Sequence, residues 1–306
     1  MSESAAQSSE ESRGIIYAAA SYALWGVVPL YWRLLGDVPP FELTVHRVVW
    51  CAIFVGVFTV ANGNAGRVAA VFRSRRLLAT LVLTSLLITT NWTIYIYCVA
   101  TDQLVAASLG YYINPLLSFA LGVVFLREPM SRTRMLAIAL AAVAVAVQAI
   151  SLGRLPWIAL ALALSFGLYG YFRKLAPVAA LDGLLIETMV LFPLTAGLVG
   201  LWAFKGIGAF PSSNLLKDAL LLGAGPLTAL PLALFAAGAR RVRLTTLGFL
   251  QYLSPSITLL LAVFAFHEPF TRVNAITFGC VWTALLIVAL EGRLPWTARL
   301  QARMRG

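Results

Sequence analysis

The sequence predicts an all-α, polytopic membrane protein, and three observations carry that prediction. Of the 306 residues, 60% are hydrophobic and only 11% are charged, with a mean hydropathy of +0.87. A soluble domain carries about 25% charged residues, so this chain has too little polar surface to face water on every side. Ten uncharged runs of 17 to 25 residues follow one another, at 14–32, 48–66, 77–101, 103–126, 135–153, 155–172, 188–204, 219–239, 244–267 and 273–290. A helix needs roughly 20 apolar residues to cross about 30 Å of hydrocarbon, whereas a spanning strand needs only about 9 to 11 alternating ones. The third observation is charge asymmetry. With the N-terminus in the cytoplasm, only Arg33, Arg154, Lys205, Lys217 and Arg272 of the 23 Lys and Arg residues fall in outer loops. Arg47 lies in a span and all the others lie on the cytoplasmic side, as the positive-inside rule requires. Both termini are therefore expected in the cytoplasm. The net charge of +11 reads as a topology signal, and its spread over alternate loops argues against nucleic acid as a partner.

Taken in order, residues 1–13 (MSESAAQSSEESR) lack the basic start and apolar core of a signal peptide and are expected to form a disordered cytoplasmic tail. Five spans occupy 14–150 and five more occupy 154–290. The second and seventh are expected to begin near Phe41 and Asp182, ahead of their uncharged runs, which places Glu42, His46, Arg47 and Glu187 within or at the edge of the membrane. Residues 291–306 form a basic tail. Its mixture of Arg with Leu294, Trp296, Leu300 and Met304 suits either a helix on the anionic inner leaflet or a solvated end. Membrane lipids are thus partners throughout. Ala137, Ala141 and Ala142 in the fifth span permit close approach of another helix, including one from a second copy.

Chemistry that would mark an enzyme is absent from the sequence. Cys51, Cys98 and Cys280 all lie in spans, and His46 and His267 have no ligand-spaced partners, so neither a disulfide framework nor a metal site is expected. There is no phosphate loop, serine elbow or Cys pair, and no cofactor is implied.

An internal repeat organises the chain. INPLLSFALGVVFLREPMSR from Ile113 returns as LSPSITLLLAVFAFHEPFTR from Leu253, aligning Pro115 with Pro255 and Glu128-Pro129 with Glu268-Pro269 at an offset of 140. SYALWG at 21–26 resembles SFGLYG at 165–170, and Asp37 with Glu42 resembles Asp182 with Glu187 at an offset of 145. Five is an odd number, so the second half must enter the membrane from the opposite side. Inverted repeats of this kind permit equivalent inward-open and outward-open forms, the basis of alternating access. A proline inside a span removes a backbone hydrogen bond and clashes with the preceding turn. Such breaks survive in lipid mainly where they face protein or water, so Pro115 and Pro255 are expected to be helix breaks that face inward, with Asn114 and Ser254 beside them. Both Glu-Pro pairs read as caps and turns.

The strings TVHRVVW (44–50), NWTIYIY (91–97), ASLGYYINPLLSFALGVVFLREP (107–129), SFGLYGYFRK (165–174), LLIETMVLFP (184–193) and LTTLGFLQYLSPS (244–256) resemble the EamA family of the drug/metabolite transporter superfamily. The resemblance runs from about Gly14 to Leu290. It implies a ten-helix carrier of the bacterial inner membrane, built from two EamA repeats and exporting small molecules. Members of the family export amino acids, including aromatic ones, and others are labelled chloramphenicol-sensitivity proteins.

Ionisable residues inside a membrane are costly and usually face protein or water. Arg47 is a candidate donor to a substrate carboxylate, with Glu42 or Glu187 receiving an amino group; an internal ion-pair network that locks a gate is the alternative. Glu42, His46 and Glu187 are the candidates for gating or coupling. His46 lies four residues after Glu42 on the same helical face. Tyr and Trp offer a flat apolar face with a polar handle, and Trp25, Trp92, Tyr95, Tyr112, Tyr169 and Tyr252, with Asn91 and Asn114, are the remaining substrate-binding candidates. Tyr31 and Trp32, near the end of the first span, are expected to belong to an interfacial belt.

Overall fold

The computed structural model describes residues 2–126, 131–242 and 250–290. The Glu128-Pro129 turn, the segment 244–249 and the basic tail 291–306 lie outside the described residues. Among the described residues every regular element is helical: α1 Ser2–Arg33, α2 Pro40–Ala61, α3 Ala65–Phe72, α4 Arg75–Ala100, α5 Leu104–Leu126, α6 Arg132–Leu152, α7 Trp157–Leu175, α8 Ala180–Lys205, α9 Leu215–Ala239, α10 Leu253–Leu260 and α11 Arg272–Ala289. Among the described residues eight helices are long and apolar enough to cross a membrane, and two shorter apolar stretches, Leu104–Leu117 in α5 and Leu253–Ala265 in and after α10, accompany them. The chain is an all-helical polytopic membrane protein.

Helix boundaries follow from capping chemistry. Pro40 opens α2 at a position where a missing N–H costs nothing. Ser74 accepts a bond from Leu77 N at the start of α4, and Asn214 accepts from Leu216 N and Lys217 N at the start of α9. Thr271 and Asn274 form a reciprocal capping box on α11. Glu268 does more than end a helix: its carboxylate accepts the Leu104 N–H at 2.7 Å and so caps α5. Gly206, at φ 64, terminates α8 in the left-handed conformation that glycine adopts without strain.

α1 runs from Ser2 into the first span. Ala5, Ala6, Gln7 and Glu11 are strong helix formers, and Glu10 pairs with both Arg13 and Arg241 at 3.0 Å. Pro255 sits in the first turn of α10, directly after the turn at 251–252, and has no N–H to give the Gln251 carbonyl that a helix continuing through that turn would require. A π-helical turn, Leu261–Ala265, follows α10. Pro115 lies inside α5, which runs on through it, and Pro29, Pro193, Pro226 and Pro231 lie inside α1, α8 and α9.

The chain divides into two compact units. One comprises residues 1–104 and 172–268, the other 105–171 and 269–306, so each draws on both halves of the sequence. In the first, α2 packs on α4, α8 and α9, while α1 packs on α4, α9 and α10. A Cβ on Gly225 of α9 would collide with the Trp50 carbonyl and the Cys51 nitrogen of α2, so only glycine lets these two backbones approach. In the second, α6 packs on α11. Ala137 and Ala141 of α6 are buried together with Ala144, whereas Ala142 is exposed. Gly110 of α5 lies against α7, where a Cβ would stand 2.7 Å from the Ala159 carbonyl oxygen.

Gly225→Ala is expected to prise α2 from α9 and cost about 1 to 3 kcal/mol, seen as a lower unfolding temperature of the purified protein in detergent. An unchanged unfolding temperature would contradict the close approach.

Candidate functional site

One group of buried polar side chains in the first unit gathers around α2. Pro40 fixes the start of that helix, so Glu42, His46 and Arg47 fall in its first two turns, all of them buried. Arg47 is 7% exposed. Its guanidinium carbon stands 4.0 Å from the ring centroid of Trp92 on α4 and 5.4 Å from that of Trp32 on α1. Its Nε donates to Thr228 Oγ1 on α9 at 3.0 Å, and the Thr228 hydroxyl donates in turn to Ala224 O at 2.8 Å. A desolvated cation–π contact is worth about 2 kcal/mol. Four helices thus meet around one side chain.

One turn beyond Trp92, Tyr95 is buried with its hydroxyl 3.4 Å from Thr258 Oγ1 of α10, and Thr258 donates to Gly26 O of α1 at 3.3 Å. Asn91, next to Trp92, is buried as well. Trp25 is half-buried in an aromatic cluster with Tyr22 and Phe235. Tyr252 caps α10 and accepts the Ser256 hydroxyl on its carbonyl at 2.6 Å. Three of the predicted residues belong to the other unit. There Tyr112 packs edge-on against Phe278 and Trp282, Asn114 precedes the buried Pro115, and Tyr169 packs on Phe166.

Above Arg47 at the start of α2, Glu42 accepts the Ala209 N–H of the 206–214 loop and stands 3.8 Å from His46 Nε2. Trp50 Nε1 donates to His46 Nδ1 at 3.3 Å, which assigns the ring proton to Nε2 and leaves a neutral imidazole facing the carboxylate. Phe210 lies edge-on against both His46 and Trp50. Glu42 and His46 therefore fasten a loop over the head of α2.

Glu187, 1% exposed on α8, is the counterpart carboxylate. Its Oε1 accepts from Thr84 Oγ1 of α4 at 2.8 Å and lies 3.4 Å from Arg173 Nε. Gly183 makes room for that guanidinium, because a Cβ there would overlap it. Asp37 and Asp182, related by the 145-residue offset, each hold a base from the other half of the sequence. Lys217 lies 2.7 Å from Asp37, and Arg67 lies 3.2 Å from Asp182. Lys217 holds the exposed Asp37 carboxyl below the usual carboxylate range. Asp37 precedes α2 and Arg67 follows it, so the two pairs sit at opposite ends of a 22-residue helix, roughly 33 Å long at 1.5 Å per residue.

Sequence reasoning missed several of these contacts. Trp32, expected in an interfacial belt, is 2% exposed and flanks Arg47. Thr228 has a local signal in retrospect, a hydroxyl set between Pro226 and Pro231. Arg173, counted as a loop charge, is largely buried against Glu187. Thr228→Val should leave the Arg47 Nε without its acceptor and destabilise the purified protein by about 1 to 3 kcal/mol, while Thr228→Ser retains stability. Equal melting of the Val variant and the wild type would show that the bond carries no weight.

Comparison with known proteins bears on what this arrangement serves. The profile of the EamA-like transporter family matches residues 12–149. A protein of Bacillus subtilis (strain 168) described as the uncharacterized transporter YojE is 41% identical over 297 residues, 95% of this chain and 97% of its own. Protein RarD of Streptomyces exfoliatus is 39% identical over 294 residues, 96% of this chain and 91% of its own. A solved crystal structure, 20% identical, aligns with 92% of this chain and 99% of its own at a TM-score of 0.57, a likeness of fold. The chain belongs to the EamA-like transporter family, among the RarD proteins, and is a multi-pass bacterial membrane transporter of the drug/metabolite type.

Proposed function

We propose that the protein is a secondary transporter that exports small amphipathic metabolites across the bacterial inner membrane by alternating access, with amino acids or related compounds, and chloramphenicol-like drugs, as its substrate class. The observation that carries this reading is Arg47, a buried cation flanked by two indoles in a chain of a transporter family. A guanidinium recognises a carboxylate through charge-assisted hydrogen bonds, and the neighbouring Trp32, Trp92 and Tyr95 offer apolar faces to the remainder of an amphipathic solute. Asn91 and Tyr252 complete this set in the first unit; within the second unit, Tyr112, Asn114 and Tyr169 are proposed as substrate-contacting residues in their own right.

In this reading the ten spans form two inverted five-helix repeats, 14–150 and 154–290, with both termini in the cytoplasm. Glu42 and His46 with the 206–214 loop serve the outer gate, and Glu187 with Arg173 and Thr84 serves the inner one. The exchange of bases between Asp37 and Asp182 supports that arrangement, because each pair joins the two halves at one end of α2. Breaking one pair while keeping the other is the elementary step of alternating access. The chain carries no nucleotide-binding motif, so ion or solute gradients supply the energy, and Glu42, His46 or Glu187 carries any coupled proton.

Counterflow in proteoliposomes tests the proposal against a passive facilitator. Unlabelled amino acid on the far side should accelerate uptake of labelled amino acid, since only a carrier must reorient its site, and Arg47→Gln should abolish the acceleration. Uptake indifferent to solute on the far side would favour a passive pathway.

A further inference from the structure

We infer that Phe210 is a gating side chain: it rides on a strap of its own, residues 206–214, and shuts one end of α2 by seating against His46 and Trp50. The inference rests on the transport reading for the use of that movement. What it adds is the part that moves and the residue, Asp218, that keeps it in shape.

The strap takes its shape from the helices at its two ends. At its start the Ile207 N–H returns to Trp202 O of α8 at 3.1 Å. Gly208 then lies so close to the same helix that a Cβ there would stand 2.8 Å from the Trp202 Cβ. At its end the Ser212 N–H donates to both carboxylate oxygens of Asp218 on α9, at 3.0 and 3.1 Å, and the Ser212 hydroxyl donates to Asn214 O at 3.0 Å. These bonds run to α8, to α9 or within the strap, so its fold survives separation from α2. Asp218 is thereby a positioning residue, because the backbone bond it holds lies two residues from Phe210.

The hold on α2 is of another kind. The Ala209 N–H donates to the Glu42 carboxylate, and the next residue, Phe210, sets its ring centroid 5.9 Å from that of His46 and 5.3 Å from that of Trp50, edge-on to both. A charge-assisted hydrogen bond and a ring contact can be given up without unfolding the helices on either side. Beneath the ring, His46 is 1% exposed although it stands in the second turn of α2, and Arg47 is the next residue. Trp50 Nε1 already occupies His46 Nδ1, and Phe210 brings no polar atom of its own. Its contribution at this place is to exclude water and solute, which is the work of a gate.

The test uses full-length protein in detergent with His46→Cys as reporter and a maleimide-linked polyethylene glycol as probe, the background from Cys51, Cys98 and Cys280 being read from the unsubstituted protein. The new thiol should react slowly. Adding Phe210→Ala or Glu42→Ala should speed it about tenfold, the effect of losing one such contact from a local opening equilibrium, and adding Phe210→Tyr should leave it slow. A rate unchanged by both alanine variants would overturn the strap. In proteoliposomes, Phe210→Ala and Asp218→Asn should each raise net leucine efflux relative to leucine counterflow, because a gate that no longer shuts passes solute without reorientation. An unchanged ratio in both would leave Phe210 as packing and overturn its gating role. A wild type without counterflow, in which the labelling pattern nonetheless holds, would sink the transport reading and leave the strap as a lid over His46.

Discussion

A charge placed among apolar helices must be given partners before the bundle can close, and Arg47 imposes that constraint on the first unit. An isolated charge in a low-dielectric interior is very costly. This chain meets the cost with contacts from three other helices: the indoles of Trp32 on α1 and Trp92 on α4, and the Thr228 hydroxyl on α9. Those contacts fix where α1, α4 and α9 stand around α2. The glycine at 225 is the steric complement of the same requirement, because Thr228 can reach Arg47 only if α9 lies directly against the α2 backbone.

The two acidic positions in each half obey a related rule. Glu42 and Glu187 are buried five residues after Asp37 and Asp182, and every one of the four carboxylates is engaged. Their partners differ in kind. Glu42 binds a backbone N–H of a loop, whereas Glu187 binds a hydroxyl and an arginine of neighbouring helices. A repeat in sequence has thus become two different fastenings, one at a loop and one within the bundle. That difference follows from the partners each carboxylate meets where it is buried.

Much of the fold was legible in the sequence because membrane insertion leaves a one-dimensional signature. Uncharged runs located the helices, and Glu42, His46, Arg47 and Glu187 stood out because ionisable residues inside such runs are rare. The partners of those residues were not legible. Trp32 carries the same signal as an interfacial tryptophan until α2 is packed beside it, and Arg173 looks like any loop arginine until Gly183 opens a space for it. The aligned prolines occupy different helical registers, which sequence alignment does not show: Pro115 lies within α5, and Pro255 in the first turn of α10 after the turn at 251–252. The Glu10–Arg241 pair at the start of α1 spans most of the chain and was not legible from local sequence.

Arg47 is the group proposed to read a solute carboxylate. The most direct measurement is the preference of the reconstituted transporter for an amino acid over its uncharged-carboxyl amide, compared between wild type and Arg47→Gln. Loss of one charge-assisted hydrogen bond predicts a wild-type preference of about tenfold or more that collapses toward unity in the variant. A variant that transports and keeps the full preference would contradict the assignment and leave Arg47 as a structural cation alone.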